Sequence, residues 1–159
     1  MCDAADLDAV ARGIIDDNRY MALGTADETG RPWVSPVYFA PDGYRELYWL
    51  SSPEARHSRN VEERPEVQIV IFDSTAPVGA GEAVYLAAAA RAIRDDELEA
   101  VCPEAFRTTA GARRFTPEEV RGSRLRLYVA HATSCEVHVA GRHPVYGRGI
   151  DTRQPADPT

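Results

Sequence analysis

The segment with the clearest chemical potential is a predicted helix that begins with hydroxyl residues and continues with basic ones. Ser51 and Ser52 precede a proline, and Arg56 and His57 follow within about one turn. Serine before proline is typical of a helix start, where unpaired backbone N–H groups and the helix dipole favour an anion. Positive side chains at that end are otherwise unfavourable. The pattern predicts a phosphate site at the start of a helix over residues 53–63, with Ser52 as its N-cap.

Two interpretations of this segment fit its spacing. In the first, a phosphate accepts hydrogen bonds from Ser51, from first-turn N–H groups, from the Arg56 guanidinium and from His57. In the second, neighbouring carboxylates pair with the arginines on a solvent-exposed surface. The carboxylates concerned are Glu54, Glu62 and Glu63. All 18 basic residues of the chain are arginine, so lysine chemistry is excluded in either case.

The elements that must position these residues are mainly strands. Apolar and β-branched runs separated by turn residues predict about six strands. Seven segments are candidates for these six or so strands: 20–25, 33–40, 46–50, 67–73, 82–93 and, as closing strands, 125–132 and 135–139. Four consecutive alanines leave 82–93 ambiguous, and its flanking loop favours a strand. Pro36 cannot donate to a ladder, so its strand is expected at a sheet edge or a bulge.

The predicted architecture is a small antiparallel β-barrel with peripheral helices, because closure removes exposed sheet edges. Apolar spacing predicts an amphipathic helix over 3–18, and Asp95 is expected to cap a short helix. Thr116, Pro117 and Glu119 form a capping-box pattern for another helix. Residues 1–150 are expected to form a single domain, with 151–159 as a flexible tail.

Composition excludes several classes of partner. A net charge of −7 and a pI near 5.1 argue against binding to nucleic acids or anionic membranes. No apolar run approaches the roughly 18 residues of a membrane span. Three cysteines without a CxxC pair favour free thiols in a reducing compartment, so a cytoplasmic location is expected.

Other kinds of site find weaker support in the sequence. His131, Cys135, His138 and His143 follow no metal-binding motif, so no metal site is predicted. GxSxG is absent, and Cys102 follows a run of acidic residues, so neither a serine nor a cysteine nucleophile is expected. No catalytic residue is assigned. Four aromatic residues could stack on a flat ring or belong to the core: Trp33, Tyr38, Tyr48 and Trp49.

Residues 20–94 resemble the split-barrel flavoproteins related to pyridoxamine 5'-phosphate oxidase, and the C-terminal strands resemble them loosely. The resemblance is carried by GRPWVSPVYF, by LYWLSSPEARHSRNVEERPEV and by the apolar strand that follows. The hydroxyl residue, basic pair, acidic run and proline of that family match Ser51, Arg56, His57, Glu62, Glu63 and Pro65.

This resemblance implies an FMN-binding split barrel that forms a homodimer with the cofactor at the interface. The FMN phosphate would bind the basic helix start, and the flavin ring would lie along the backbone of the second strand. The cofactor-binding residues expected are Ser35, Pro36, Val37, Leu50, Ser51, Ser52, Arg56 and His57. His138 and Arg148 are candidates for the contribution of the partner subunit.

The sequence departs from the family at the cofactor site and at the substrate site. Ser35 and Ala40 stand where the oxidases have arginine and lysine, His57 replaces a lysine, and the C-terminal Arg-Leu-His element is absent. The function expected is therefore an FMN-dependent oxidoreductase that passes hydride or electrons between a reduced nicotinamide and a small acceptor, without vitamin B6 oxidation. The alternatives are a deazaflavin- or haem-binding relative and a non-enzymatic flavin- or tetrapyrrole-binding protein.

Overall fold

The computed structural model describes residues 6–107 and 113–159. In these residues eight strands form one antiparallel sheet: β1 (Tyr20–Ala26), β2 (Pro32–Tyr38), β3 (Ala40–Asp42), β4 (Glu46–Ser51), β5 (Glu66–Phe72), β6 (Ala83–Ala92), β7 (Arg126–Val139) and β8 (Thr152–Pro155). The helices around it are α1 (Leu7–Asp17), α2 (Arg56–Glu63), α3 (Leu98–Val101) and α4 (Pro117–Gly122). None of these helices has both the length and the apolar composition to cross a membrane.

The strands follow the order β2-β1-β5-β6-β7-β4-β3, and β8 pairs with the far half of β7. The sheet bends into a half-barrel, which confirms the predicted split barrel with peripheral helices. β2 and β3 are the two ends of this order, so β2 is an edge strand, as Pro36 predicted. Helix α2 lies across β1, β2 and β6, close to that edge.

Alternation along the strands places apolar side chains on the inner face. Leu23, Ile69 and Leu86 are fully buried in neighbouring strands of the barrel. Trp49 of β4 stacks on Tyr128 of β7, with ring centroids 5.5 Å apart. Because Trp49 is fully buried in this stack, it belongs to the core and cannot meet a ligand.

The strand predictions are largely confirmed, but the strand predicted over 33–40 ends at Tyr38, Ala40 begins the separate strand β3, and the closing strands differ. The alanine-rich segment is a strand, as its flanking loop indicated. The two expected closing strands are one strand of 14 residues, β7. A bulge opposite Ala87 and Ala88 accommodates Thr133 as an extra residue, and its hydroxyl donates to the Ala87 carbonyl (3.1 Å). A single bulged strand therefore includes Thr133 and Ser134, which separate the two predicted closing strands.

The helix predictions need two corrections. Helix α2 begins at Arg56 rather than at residue 53, and Ala55 is its N-cap residue. Ser52 instead closes the preceding turn, where its hydroxyl accepts from the Glu54 N–H (3.1 Å). Helix α3 begins at Leu98, and Asp95 does not cap it. The capping box at Thr116 and Glu119 is present as predicted.

The C-terminal segment is paired with the sheet, in contrast to the flexible tail expected for 151–159. β8 lies beside β7, and the Ala156 N–H donates to the Cys135 carbonyl (3.0 Å). The Arg153 guanidinium covers the Tyr85 ring, 3.6 Å from its centroid. A polar segment without hydrophobic periodicity predicts an unpaired tail. The open edge of β7 instead supplies hydrogen-bond partners for the backbone of this segment.

We expect the backbone N–H groups of Gln154 and Ala156 to exchange with solvent more slowly than those of the loop over residues 73–82, because strand pairing removes them from water. Hydrogen–deuterium exchange followed by mass spectrometry of peptides from both segments measures this difference. Equal and immediate exchange in the two segments would show that the C-terminal segment is free in solution.

Candidate functional site

Three of the predicted site residues meet where β2, β4 and α2 converge. Ser51 is the last residue of β4, Ser35 lies in β2, and His57 is in the first turn of α2. The Ser51 Oγ lies 2.7 Å from the His57 Nε2, and the Ser35 Oγ lies 3.2 Å from the Nδ1. The imidazole thus joins two hydroxyl groups that are 16 residues apart in the sequence. Ser35, His57 and Ser51 together form a hydroxyl–imidazole chain.

Both ring nitrogens of His57 contact hydroxyl groups of this chain, so the direct phosphate contact expected would require one of these bonds to open. Burial lowers the pKa of His57, which favours the neutral ring near pH 7. The Trp33 Nε1–H donates to the Ser35 Oγ (3.1 Å), so Ser35 can give its own proton to the imidazole Nδ1. With the ring proton on Nε2, Ser51 accepts from His57 and its hydroxyl proton remains available to an anion.

Arg56 lies beside this hydroxyl–imidazole chain rather than inside it. Its guanidinium is 3.3 Å from the Asp27 carboxylate and lies over the Trp33 ring, 5.2 Å from the centroid. Hydrogen bonds from the Thr29 hydroxyl and the Arg31 backbone lower the pKa of Asp27 to about 2, and the Arg56 charge adds to this. Arg56 therefore pairs with a residue of the β1–β2 turn and not with the glutamates of its own segment.

Asn60 is a residue of this region that the sequence reasoning missed. It is buried on α2, one turn after His57, and its Nδ2 donates to the Thr25 Oγ1 at 2.9 Å. Thr25 is also buried, and its hydroxyl donates to the Trp33 carbonyl (3.4 Å). These bonds attach α2 to β1 and β2. An amide three residues after His57, on the same helix face, was the available signal.

The other predicted residues lie near the site with different environments. Pro36 is exposed on the edge strand, whereas Val37 is buried in the main core. Leu50 packs with the second apolar cluster, on the sheet face opposite to Ser51. Ser52 is engaged in its own turn, so its hydroxyl is not directed at the helix start.

The residues suggested for a partner subunit and for thiol chemistry lie elsewhere. The His138 Nε2 is 3.6 Å from the Asp151 carboxylate, and Arg148 is exposed. Cys102 and Cys135 are free thiols, as expected, while Cys2 lies outside the described residues. Burial raises the pKa of both thiols, that of Cys135 to about 11, so neither is a ready nucleophile.

Comparison with known families decides the affiliation of this fold and site. The family model of pyridoxamine 5'-phosphate oxidase matches residues 7–136. The chain belongs to this family. The matched region includes β2, β4 and α2, and therefore the whole hydroxyl–imidazole chain. No curated protein matches the chain significantly in sequence.

Solved structures of the family fold resemble this chain over most of its length. A haem-binding protein from Mycobacterium smegmatis has 24% identity and a TM-score of 0.66, with 91% of this chain and 56% of that chain covered. ChuZ from Campylobacter jejuni has 16% identity and a TM-score of 0.67, with 93% and 58% covered. An F420 reductase has 19% identity and a TM-score of 0.56, with 78% and 94% covered. The chain spans little more than half the length of the first two proteins, and the likeness to all three concerns the fold.

The partly buried imidazole of His57 predicts a pH dependence of stability. Below the ordinary His pKa of 6.5, the unfolded chain takes up a proton that the folded chain disfavours at His57, so the free energy of unfolding falls as the pH falls. Replacing His57 by Asn removes this contribution. Urea unfolding at pH values from about 8 to about 5 should give a steeper decline for the wild type than for His57→Asn.

The remaining histidines are common to both proteins, so the difference between the two profiles reports His57 alone. Parallel profiles for the wild type and the variant would contradict a lowered pKa of the imidazole.

Proposed function

We propose that this chain is a homodimeric FMN-binding oxidoreductase whose hydroxyl–imidazole chain holds the phosphate of the flavin. Membership of the pyridoxamine 5'-phosphate oxidase family supports a small-molecule cofactor at this fold. The observation that carries the proposal is the convergence of Ser35, His57 and Ser51 at the start of α2. A free hydroxyl proton and unpaired first-turn N–H groups form a suitable cradle for a phosphate.

The neutral state of His57 leaves the positive charge to other groups. The helix dipole supplies a partial positive charge at this end of α2, and Arg56 supplies a full one. Arg56 is about half exposed, so its Asp27 pair is screened by water and can open to admit a competing anion. His57 then acts as a positioning residue for Ser51, and the cationic contact belongs to Arg56.

The edge strand β2 provides a surface for the flavin ring and for a second subunit. Trp33 and Val34 are 44% and 66% exposed, and the outer backbone edge of β2 has no neighbouring strand in the described order. Exposed apolar side chains on an open edge are unfavourable in an isolated chain. A partner subunit that covers β2 would enclose the ring between the two chains.

FMN, when bound, supplies hydride or electron transfer at its ring system. The residues of this chain bind the phosphate and exclude water beside β2, and no side chain is assigned as an acid or a base. The substrate differs from that of the oxidases, because buried Ala40 offers no contact to a substrate phosphate. We propose a reduced nicotinamide as electron donor and a small molecule as acceptor.

Haem and deazaflavin are the competing cofactors, because one structural relative is a haem-binding protein and another is an F420 reductase. Haem iron commonly takes a free imidazole nitrogen as its ligand, and both nitrogens of His57 are already used. A deazaflavin with a phosphate could use the same cradle as FMN. Absorbance of the loaded protein distinguishes the three, because haem gives a Soret band and the two flavins differ in their visible bands.

Replacing Ser51 by Ala should weaken FMN binding by about 10- to 100-fold, the range of a hydrogen bond to a charged group. Titration of apoprotein into FMN, followed by quenching of flavin fluorescence, measures the dissociation constant. Ser52→Ala is the matched control, because it loses the same hydroxyl from a side chain that serves only its own turn. Equal affinities for the two variants would exclude Ser51 as the phosphate ligand.

Replacing Arg56 by Gln should weaken FMN binding less than the loss of Ser51, by about 3- to 10-fold, since a half-exposed cation is screened. The loss should shrink when salt is raised to about 1 M, where screening removes most of the contribution. Titrations of wild type and variant at low and high salt provide the comparison. A loss that does not change with salt would contradict an electrostatic role for Arg56.

A further inference from the structure

The turn between β1 and β2 carries a carboxylate that reaches the first residue of α2. Asp27 follows β1, and its Oδ1 accepts hydrogen bonds from the Thr29 N–H (3.0 Å), the Thr29 hydroxyl (2.7 Å) and the Arg31 N–H (3.0 Å). Its Oδ2 lies 3.3 Å from the Arg56 Nη2. The turn therefore fixes the carboxylate in place through one oxygen, and the other oxygen remains for Arg56.

The contact between Asp27 and Arg56 differs from a pair of mobile surface side chains. Two flexible side chains lose conformational entropy when they pair, and this loss offsets much of the Coulomb energy at a surface. The Asp27 carboxylate is already held by its own turn, and its side chain is only 22% exposed. The Arg56 guanidinium lies over the Trp33 ring, which limits its movement as well. The ion pair therefore has a defined geometry at both ends.

Helix α2 has no acidic residue in its first turn. The turn begins with Arg56, His57 and Ser58, and the N-cap residue Ala55 gives its N–H groups no side-chain cap. Both the N–H groups and the guanidinium therefore favour a negative charge from another segment. Asp27 supplies such a charge, but it bonds to the guanidinium and not to the helix N–H groups. A second anion is still favoured at these N–H groups.

A phosphate at the start of α2 would meet Arg56 in competition with Asp27. The phosphate and the carboxylate are both negative, so they repel each other when they share one guanidinium. Binding must either separate Arg56 from Asp27 or leave the two anions close together. Each of these changes costs free energy, and the affinity for the phosphate is lower than the helix start and Arg56 alone would give.

We propose that Asp27 is an internal competitor for Arg56 and thereby determines how tightly the site holds a phosphate monoester. This role of Asp27 rests on the proposed function, because it takes the start of α2 as the phosphate site. Asp27 holds the guanidinium in the structure, and binding of the ligand transfers Arg56 from the carboxylate to the phosphate. Release of the ligand returns Arg56 to Asp27, so the bound cofactor exchanges more readily than it would without this carboxylate.

FMN titrations of the full chain at low salt, followed by quenching of flavin fluorescence, test this competition. Asp27→Asn should tighten FMN binding about 3- to 10-fold, because asparagine keeps the Oδ1 acceptor of the turn but no longer accepts from Arg56. Glu28→Gln is the matched control and should change the affinity less than twofold. Glu28 is exposed in the same turn, and its contact with Arg64 is made by the backbone carbonyl, which the substitution keeps. Urea unfolding verifies that both variants are folded.

The same titrations of Arg56→Gln, with and without Asp27→Asn, separate competition from simple charge repulsion. Without the guanidinium, Asp27 has no cation to withhold, so Asp27→Asn should then change the FMN affinity no more than Glu28→Gln does. An equal effect of Asp27→Asn in the presence and absence of Arg56 would overturn the competing role. Weaker FMN binding by Asp27→Asn alone would also overturn it, because Asp27 would then support Arg56.

Inorganic phosphate distinguishes failure of this role from failure of the proposed function. Flavin-free wild type and Asp27→Asn are titrated with phosphate, and the NMR signal of the Arg56 Nε–H, assigned by its loss in Arg56→Gln, follows binding. Tighter phosphate binding by Asp27→Asn without FMN binding by any form would contradict FMN as the ligand and support the competition. Equal FMN affinities of Asp27→Asn and Glu28→Gln would overturn the competition and leave the proposed function intact. Absence of binding of both ligands would overturn both.

Discussion

The attachment of α2 to the sheet through its buried polar face is the constraint on which the candidate site depends. Asn60 and His57 lie one turn apart on that face and bond to β1, β2 and β4. Buried polar groups need partners, so the helix can seat in only one orientation without leaving an amide or an imidazole unpaired. That orientation directs the first turn of α2 toward Ser51. The position of the proposed anion cradle is therefore set by how the helix is fixed, and not only by which residues begin the helix.

Replacement of lysine by histidine changes how this member of the family would hold an anion. A lysine would present a charge directly, whereas the neutral imidazole of His57 passes a hydrogen bond to Ser51. The positive charge that attracts an anion must then come from the helix dipole and from nearby arginines. Arg56 begins the helix that follows Ser51, and Arg126 is the ladder partner of Ser51, so two arginines belong to the segments next to this strand end.

The sheet has an uncovered edge at β2, beside the candidate site. β2 ends the hydrogen-bonded order with exposed Trp33 and Val34, whereas the edge of β7 is covered by β8. Proteins generally cover apolar edges, because unpaired strand groups invite association. Ser35 belongs to this uncovered edge strand, so any molecule that packs on β2 would adjoin the Ser35–His57 contact.

The sequence by itself determined a small antiparallel barrel with Pro36 on an edge strand, through two local rules: strand alternation and the missing N–H of proline. Its resemblance to the oxidase family added the split barrel and the prediction of Ser35, Ser51 and His57 as site residues. Only the tertiary structure decided that Ser52 closes a turn, that His57 orients Ser51, and that Asn60 fixes the helix. It likewise paired the C-terminal segment with β7 and placed Arg126 opposite Ser51. Such contacts join residues far apart in the chain, and their partners depend on register and packing, which local propensity does not encode.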